Sequence, residues 1–496
     1  MSVTLSAVTP LGIPGFTFAD LHEPSRLADL HQVFVAGVRA AEPGLWERWT
    51  AHPGGAGLTA VEYSHLLVAM APHVSRCVAQ LFSVGPEVDA LVGATRAYDD
   101  LFRFKIDFVR RRALPLLKGG VAVVASHEDH AYVDRVTQGA ADAGARELLV
   151  ARAGCALLDR EEAARASGDE AARTAVAAEI ESLRRWCAAH VHAPAVRDWV
   201  VFRFPETLDY QHLVQVIRRD PAVPQALAGP EARLRRRDGF ALTDERFATR
   251  EVLSEIHYCV LCHERDKDSC SKGITDKQGA LVTNPLGIPL AGCPLDEKIS
   301  EMHLLRKRGD AIGALALVML DNPMCPGTGH RICNDCMKAC IYQKQEPVDI
   351  PQIETGALTD VLNLPWGVEI YGLLTRWNPL NAARPHALPY NGTNVLVVGL
   401  GPAGYTLSHY LLNEGFGVVA IDGLKIEPPD PLLAGAAGRP PQPIRRWADI
   451  YRPLDTRVLE GFGGVSEYGI TVRWDKNFLS LIHLTLARRT RLKIYG

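Results

Sequence analysis

Cysteines crowd one stretch of the sequence and restrict what that stretch can fold around. Eight of the 11 cysteines in the 496-residue chain lie between residues 259 and 340. Their spacing is Cys259-x2-Cys262-x7-Cys270-x22-Cys293 and then Cys325-x7-Cys333-x2-Cys336-x3-Cys340. In a reducing compartment such clustering indicates metal or redox chemistry rather than a disulfide framework.

The rest of the composition favours a cytoplasmic protein. The N-terminus has no basic segment followed by an apolar run, so no signal peptide is predicted. The longest apolar run, residues 313–320, is far shorter than the roughly 18 residues of a membrane helix. A net charge of −3 gives no general support for binding nucleic acid or anionic membranes. We expect neither a nucleic-acid partner nor a membrane span.

Eight thiolates suffice for two four-ligand sites, and two metal chemistries compete for them. Structural zinc takes four thiolates in a tetrahedron, whereas a [4Fe–4S] cluster takes four cysteines around a cube. Cys333, Cys336 and Cys340 place three thiols within eight residues, which favours a cluster over a zinc ribbon. Pro294 after Cys293 is typical of cluster cysteines. Free or oxidisable thiols are the third alternative. The other cysteines are predicted to be ordinary buried residues: Cys77, Cys155 and Cys187.

A glycine motif near the C-terminus sits in an α/β pattern. Residues 394–398 (NVLVV) predict a buried parallel strand that leads into G-x-G-x-x-G at 399–404. A helix over residues 405–413 and a second strand over residues 417–421 follow, and Asp422 ends that strand. This is the context that a dinucleotide-binding fingerprint requires.

Each residue of the motif has an expected role. Gly399 permits a tight turn, Gly401 lets backbone amides approach a pyrophosphate, and Gly404 permits close helix–strand packing. The helix N-terminus adds partial positive charge for the phosphates, and Asp422 would bind ribose hydroxyls. The motif does not separate FAD from NAD(P). In the alternative interpretation the glycines serve packing only.

Residues 1–245 predict a mostly helical domain without a catalytic motif. Apolar residues recur at helical spacing over residues 58–82, 88–117 and 160–190, and residues 116–126 predict a short strand. Farther along, residues 295–320 predict a helix broken at Gly309 and Asp310. Four histidines invite a metal interpretation, but their spacing matches no ligand motif, so solvated or core histidines are favoured: His127, His130, His190 and His192.

In this order the motifs resemble the glutamate synthase small-subunit family, which includes the corresponding segment of dihydropyrimidine dehydrogenase and related FAD-dependent pyridine nucleotide oxidoreductases. The resemblance covers about residues 259–480 and leaves residues 1–245 outside. The matching pieces are Cys259 and Cys262, residues 292–295 (GCPL), Asn322 and Pro323, residues 329–333 (GHRIC), Cys336 and Cys340, residues 346–348 (EPV), residues 397–404 (VVGLGPAG), and Gly463 and Gly464 before residues 468–470 (YGI).

The resemblance implies a multidomain fold. Residues 1–245 would form an α-helical domain of unknown role, and residues 246–388 an α-helical domain with two [4Fe–4S] clusters and a connector. Residues 389–496 would form the N-terminal part of a Rossmann-like α/β FAD-binding domain, incomplete in this chain.

The resemblance also implies how the thiols divide. The two ligand sets are Cys259, Cys262, Cys270 and Cys340 for one cluster, and Cys293, Cys333 and Cys336 for the other. The fourth ligand of the second set is either Cys325 or Glu354, which stands near the place of a glutamine ligand in the dehydrogenase. Thiolate suits iron better than carboxylate, which favours Cys325. The long gaps require an insertion near residues 271–291 to loop out.

The function implied is an iron–sulfur flavoprotein oxidoreductase that passes electrons between NAD(P)H-linked FAD and the clusters. The implied flavin-binding residues are Gly399, Gly401, Pro402, Ala403, Gly404, Asp422, Gly463 and Gly464. The NAD(P)H-binding domain of the family has no counterpart here, so a partner chain or a missing C-terminal domain would supply it. The choice between NADH and NADPH stays open. No general acid or base is assigned, and Asp430 and His483 are predicted to be surface residues.

Two other functions stay open on the sequence. The chain could be a non-catalytic electron-transfer or adaptor subunit whose partial FAD domain is structural. It could also be a zinc-stabilised binding module.

Overall fold

The computed structural model describes most of the chain. The described residues are 9–118, 120, 122–231, 245–265, 267–330, 333–423, 429–436, 439–452, 475, 477–489 and 491–495. Gly463 and Gly464, predicted to contact the flavin, lie outside this set. Within it, no helix combines the length and apolar character needed to cross a bilayer.

The chain is multidomain, mostly helical, with small sheets, and it divides into two compact units. The larger unit comprises Met1–Val92, Thr207–Ala248 and Tyr258–Gly496, and the smaller comprises Gly93–Glu206 and Thr249–His257. The predicted domain boundaries, after residues 245 and 388, do not coincide with this division. The first 92 residues group instead with the C-terminal half of the chain.

Helices supply most of the regular structure. The described α-helices are α1 (Pro24–Ala41), α2 (Pro43–Ala51), α3 (Ala60–Phe82), α4 (Gly85–Arg96), α5 (Asp99–Arg103), α6 (His127–Val136), α7 (Ala143–Ser167), α8 (Glu170–His190), α9 (Thr249–Tyr258), α10 (Ser269–Lys272), α11 (Ile299–Lys307), α12 (Ala311–Asp321), α13 (Cys325–Thr328), α14 (Asp335–Lys338), α15 (Ile350–Leu362), α16 (Gly367–Leu374), α17 (Pro402–Asn413), α18 (Pro431–Ala434) and α19 (Asn477–Ala487).

In the larger unit, two helix predictions are confirmed. Helix α3 begins as predicted because Thr59 and Glu62 form a reciprocal capping box at its N-terminus. The predicted break between α11 and α12 is also present. Gly309 adopts a positive φ of 82°, and the Asp310 carboxylate accepts a hydrogen bond from the Gly313 amide at 2.9 Å, which starts α12.

The α/β part of the larger unit is a three-stranded parallel sheet. Its strands are β3 (Asn394–Val398), β4 (Gly417–Ile421) and β5 (Leu492–Tyr495), hydrogen-bonded in that order, and helix α17 connects β3 to β4. Both strands predicted beside the glycine motif are present, but β3 is not buried as predicted, because Leu396 is 60% and Val398 is 74% exposed. A separate antiparallel pair joins β1 (Ile217–Arg218) to β2 (Leu227–Ala228).

Three predictions for the smaller unit are wrong. The helix expected over residues 160–190 is interrupted, because Gly168 has φ 73° and Asp169 caps α8 by accepting the Ala172 amide at 3.0 Å. The strand expected over residues 116–126 is wrong for the residues described there. Leu114–Leu117 is a 3-10 turn, and residues 122–126 are irregular. The helix expected over residues 88–117 is interrupted by a turn at residues 97–98, and α5 then continues as a π-helix, Phe104–Ala113.

The cap on α8 predicts a measurable stability change. Asp169→Ala leaves the Ala172 amide without its side-chain acceptor, so we expect the free energy of unfolding to fall by about 1 kcal/mol. Urea denaturation followed by circular dichroism measures it. Glu162→Ala, at an exposed position of α7, is the control and should change stability by less than about 0.5 kcal/mol. Equal effects of the two substitutions would contradict the capping role.

Candidate cofactor site

The glycine motif forms a tight turn between β3 and α17. Gly399 has φ 93°, a region that favours glycine, and its amide donates to the carbonyl of Ile421 at 2.7 Å. A Cβ atom at Gly404 would overlap the carbonyl oxygen of Gly399, so only glycine permits this helix–strand approach. The Asp422 carboxylate accepts a hydrogen bond from the Leu400 amide at 2.7 Å. Asp422 therefore lies directly beside the turn, as the sequence predicts.

Two grooves meet at the start of α17. The first, of about 440 Å³, is lined by five of the predicted flavin-binding positions together with apolar residues of β3 and α17: Leu396, Val397, Val398, Gly399, Gly401, Pro402, Ala403, Gly404 and Leu407. The second, of about 450 Å³, shares Pro402, Ala403 and Leu407 with the first and extends to Asn322, Pro323 and other residues before and within α13. An elongated ligand on the glycine turn could thus reach toward the cysteine-rich segment.

One residue near this site that was predicted to lie at the surface is buried. His483 on α19 is 4% exposed, and burial lowers its pKa to about 4. Asp430 is exposed as predicted, and its carboxylate caps α18 by accepting the Leu432 amide at 2.8 Å.

Four of the predicted metal-ligating cysteines lie together in the larger unit. We call Cys259, Cys262, Cys270 and Cys340 the first thiol group. The Cys270 thiol donates a hydrogen bond to Cys262, and this bond lowers the pKa of Cys262 to about 5 while raising that of Cys270. Cys259 lies close enough to Cys340 and Cys262 to interact electrostatically, although burial is the main reason its pKa rises to about 12.

Three more cysteines form the second thiol group, Cys293, Cys333 and Cys336. Burial is the main cause that raises the pKa of each of these thiols, and Cys336 also interacts with Cys293 and Cys333. Cys333 is exposed, whereas the other two are partly buried. The two groups are tied through the backbone, because the Cys293 amide donates to the Cys270 carbonyl at 2.9 Å.

Carboxyl groups accompany the second thiol group. Glu297 and Glu354 are both buried, and both raise the pKa values of Cys293 and Cys336. Glu354 was predicted as an alternative ligand, but Glu297 was not singled out by any sequence pattern. Its only sequence signal is its position four residues after Cys293.

Cys325 occupies a different environment from the second thiol group. It is fully buried at the start of α13, and its electrostatic neighbours include Glu354 and Glu297. Burial, and to a smaller extent Cys325, raises the pKa of two buried phenols, Tyr371 and Tyr405. Neither ligand alternative, Cys325 or Glu354, is tested by these contacts.

Within the described parts of the chain, no three His, Cys, Asp or Glu side chains converge as ligands of one metal ion. The four cysteines of a [4Fe–4S] cluster bind different iron atoms of a cube and so surround a larger volume.

In the smaller unit, the centres of the His190 and His130 rings lie 5.1 Å apart, and His190 Nδ1 hydrogen-bonds with the Trp186 carbonyl oxygen at 2.8 Å.

The predicted insertion between the thiol groups loops out as a tandem repeat that the sequence reading missed. Two eight-residue copies, residues 275–282 (TDKQGALV) and 283–290 (TNPLGIPL), form matching turns. Asp276 Oδ1 accepts hydrogen bonds from two backbone amides, both at 2.9 Å, and Asn284 Oδ1 accepts two in the same way, both at 3.0 Å. Gly292 closes the base, because a Cβ there would crowd the backbone of Gly273.

One short segment connects the thiol groups to the sheet. We call Asn322–Gly329 the joint segment. Met324 is fully buried in the core formed by β3, β4, α17 and α19, and Tyr405 and Ile482 belong to the same core. The Tyr371 hydroxyl donates to the Pro323 carbonyl at 3.0 Å, and a Cβ at Gly327 would collide with Tyr405.

Comparison with known proteins gives relatives without an assigned activity. The family described as RP005 N-terminal alpha-helical domain matches residues 11–83, which contain α1, α2 and α3. Uncharacterized protein RP006 of Rickettsia prowazekii (strain Madrid E) is 53% identical over 172 residues, which is 35% of this chain and 23% of the relative. Uncharacterized protein RP005 of the same organism is 28% identical over 260 residues, 49% of this chain and 81% of the relative. The chain thus spans less than a quarter of RP006.

A buried histidine on α17 makes stability depend on pH. His409 is 2% exposed, its Nε2 lies 3.3 Å from Nδ2 of the Asn413 side chain, and burial together with Arg489 lowers its pKa to about 3. In the unfolded chain His409 takes up a proton near pH 6.5, whereas in the folded chain it stays neutral down to about pH 3. Stability is therefore full above about pH 6.5 and decreases as the pH falls toward 3.

Between pH 6.5 and about pH 5 the wild-type protein should lose about 2 kcal/mol of stability through His409. We expect His409→Gln to lack this loss. Urea denaturation at both pH values measures the difference. His65→Gln, at an exposed position of α3, is the matched control and should leave the pH dependence unchanged. An unchanged pH dependence in His409→Gln would show that this histidine is protonated in the folded chain.

Proposed function

We propose that this chain is an iron–sulfur flavoprotein oxidoreductase, or the electron-transfer portion of one. Electrons would pass between FAD and two [4Fe–4S] clusters, with an NAD(P)H-binding domain supplied by a partner or by a further part of the protein. The observation that carries the proposal is the joint segment, Asn322–Gly329. Its Met324 packs in the core beneath the glycine turn, and its Asn322 donates to Glu354, which interacts electrostatically with Cys293 and Cys336.

The donor set of the first thiol group suits a cluster. Its members are all thiols, three of them lie within residues 259–270 and the fourth is Cys340, and three of the four are buried. Thiolates are the ligands of [4Fe–4S] clusters, and binding releases their protons. The side-chain hydrogen bond from Cys270 lowers the pKa of Cys262 to about 5 and so favours its thiolate form. The second thiol group would hold the other cluster with one additional ligand.

The glycine turn suits the pyrophosphate of FAD. Gly399, Gly401 and Gly404 leave the turn without side chains, and the start of α17 presents backbone amides and partial positive charge. Asp422 beside the turn would hold ribose hydroxyls. When bound, FAD supplies hydride chemistry and the clusters supply one-electron transfer. The chain would position these groups, and burial of Cys262, Cys270 and Cys340 would limit the access of water to the first cluster.

Two further parts of the proposal concern context. Free thiols are expected in a reducing compartment, so we place the protein in the cytoplasm. The electron acceptor is left open. A non-catalytic adaptor would share the clusters but show no flavin, and a zinc-stabilised module would be colourless.

Loss of one ligand should remove one cluster. We expect anaerobically purified wild-type protein to contain about eight iron and eight sulfide per chain, and Cys259→Ser to contain about four of each. Iron and acid-labile sulfide analysis measures both. Cys187→Ser, a buried cysteine of α8, is the matched control and should retain all the iron. Zinc without iron or sulfide in the wild type would contradict the proposal.

A side chain at the glycine turn should weaken flavin binding. Gly404→Ala introduces a Cβ that overlaps the carbonyl oxygen of Gly399, so the turn must open. We expect the affinity for FAD to fall at least about tenfold, which corresponds to about 1.4 kcal/mol. Quenching of flavin fluorescence on titration measures it. Gly423→Ala, where a Cβ meets open space, serves as the control. Equal affinity in the two variants would place the flavin elsewhere.

A further inference from the structure

Three arginines with buried side chains meet at the end of α17 that is far from the glycine turn. Arg376, Arg488 and Arg489 are 5%, 6% and 9% exposed. A guanidinium group stays charged inside a protein, and a buried charge is costly unless it is paired. We call these three residues the arginine cluster.

Hydrogen bonds through Asn413, the last residue of α17, hold two members of the arginine cluster in place. Asn413 Oδ1 accepts Nη1 of Arg489 at 2.9 Å, and Asn413 Nδ2 donates to the Thr375 carbonyl, directly before Arg376, at 2.9 Å. Arg376 Nε donates to the Leu21 carbonyl at 2.7 Å. These partners are neutral, so they orient the guanidinium groups without balancing their charge.

One carboxylate accompanies the arginine cluster. Glu369 is 1% exposed, its Oε2 accepts Arg488 Nη1 at 2.6 Å, and its Oε1 accepts the Ile444 amide at 2.7 Å. Among the residues that the structure describes, no carboxylate lies within ion-pair distance of Arg376 or Arg489. Burial, and then the charge of Arg376, lowers the pKa of Arg489 to about 9. The cluster therefore holds more positive than negative charge.

A buried histidine nitrogen beside the cluster also lacks a partner. His22 Nε2 is buried and has no hydrogen bond within the described ranges. His22 follows Leu21, to which Arg376 donates, and its ring centre lies 5.2 Å from that of Phe18. The Phe18 ring centre in turn lies 6.0 Å from Cζ of Arg488. Burial, and then the charges of the three arginines, hold the pKa of His22 well below its usual range, so its ring is neutral.

The guanidinium groups keep unused capacity to donate hydrogen bonds. Arg376 uses Nε and Nη1, for the carbonyls of Leu21 and Gly372, and Arg489 uses Nη1. No acceptor in the described part of the chain bonds to Nη2 of Arg376 or to Nε and Nη2 of Arg489. A phosphate ion accepts several N–H bonds from guanidinium groups at once, which is why arginine recurs in phosphate sites.

We propose that the arginine cluster and His22 bind one inorganic phosphate ion. Its negative charge offsets the guanidinium charge that Glu369 leaves unbalanced, and its oxygens accept hydrogen bonds from Arg376, Arg489 and His22. The ion thereby ties His22, in the segment that the RP005 family model matches, to the ends of α17 and α19.

This site is separate from the glycine turn. Helix α17 has 12 residues, so its two ends lie roughly 18 Å apart. The proposal therefore does not rest on the proposed function. The burial of the arginines favours the small free ion over a phosphate group carried on a nucleotide.

Isothermal titration calorimetry of the full chain with sodium phosphate tests the site, with chloride used to keep the ionic strength constant. We expect the wild type to bind with a Kd of about 1 mM or lower. Arg489→Gln should bind at least about tenfold more weakly, because a charged donor is lost. Arg489→Lys keeps the charge without the planar fork and should also bind more weakly. Arg48→Gln, at an exposed position of α2, is the control and should bind as the wild type does.

The possible results separate the alternatives. The absence of binding up to about 10 mM phosphate in the wild type overturns the proposal. Unchanged affinity in both Arg489 variants also overturns it, because the ion then binds elsewhere. If Arg489→Gln does not fold, Arg489→Lys decides. Tighter binding of adenosine monophosphate than of phosphate overturns the choice of the free ion. Absence of iron or flavin from the same samples contradicts the proposed function alone.

Discussion

The packing of the joint segment, Asn322–Gly329, is the constraint on which the rest of the structure depends. Met324 lies in the core of the parallel sheet, while Asn322 at the start of the same segment binds Glu354. Gly327 must lack a side chain because Tyr405 occupies that space. One short stretch thus contacts both the core beneath the glycine turn and the carboxyl group of Glu354. A change in this packing would alter both candidate sites together.

The thiol groups impose a second constraint, because their members are distant in sequence. Cys340 interacts electrostatically with Cys259, although helices α11 and α12 and the tandem repeat of residues 275–290 separate the two cysteines in the sequence. Bringing buried thiols together costs conformational entropy and raises most of their pKa values, as for Cys259. In the proposed function, a bound metal centre would offset this cost by binding thiolates, so metal binding and folding would be coupled in this part of the chain.

Local patterns could be predicted, and long-range contacts could not. The strands beside the glycine motif and the capping box of α3 follow from signals within a few residues. The break at Gly168 was missed because alanine-rich sequence on both sides hid a single cap. The burial of His483 and the placement of Glu297 depend on tertiary packing. The grouping of residues 1–92 with the C-terminal half depends on contacts such as Arg376 Nε to the Leu21 carbonyl at 2.7 Å.

Native mass spectrometry of the anaerobically purified chain tests the central proposal most directly, since it weighs the chain with whatever it holds. The account predicts one dominant species: the 54.2 kDa polypeptide plus two four-iron, four-sulfide clusters and one flavin adenine dinucleotide. A polypeptide carrying zinc, or one that binds no metal and no flavin after anaerobic purification, would contradict it.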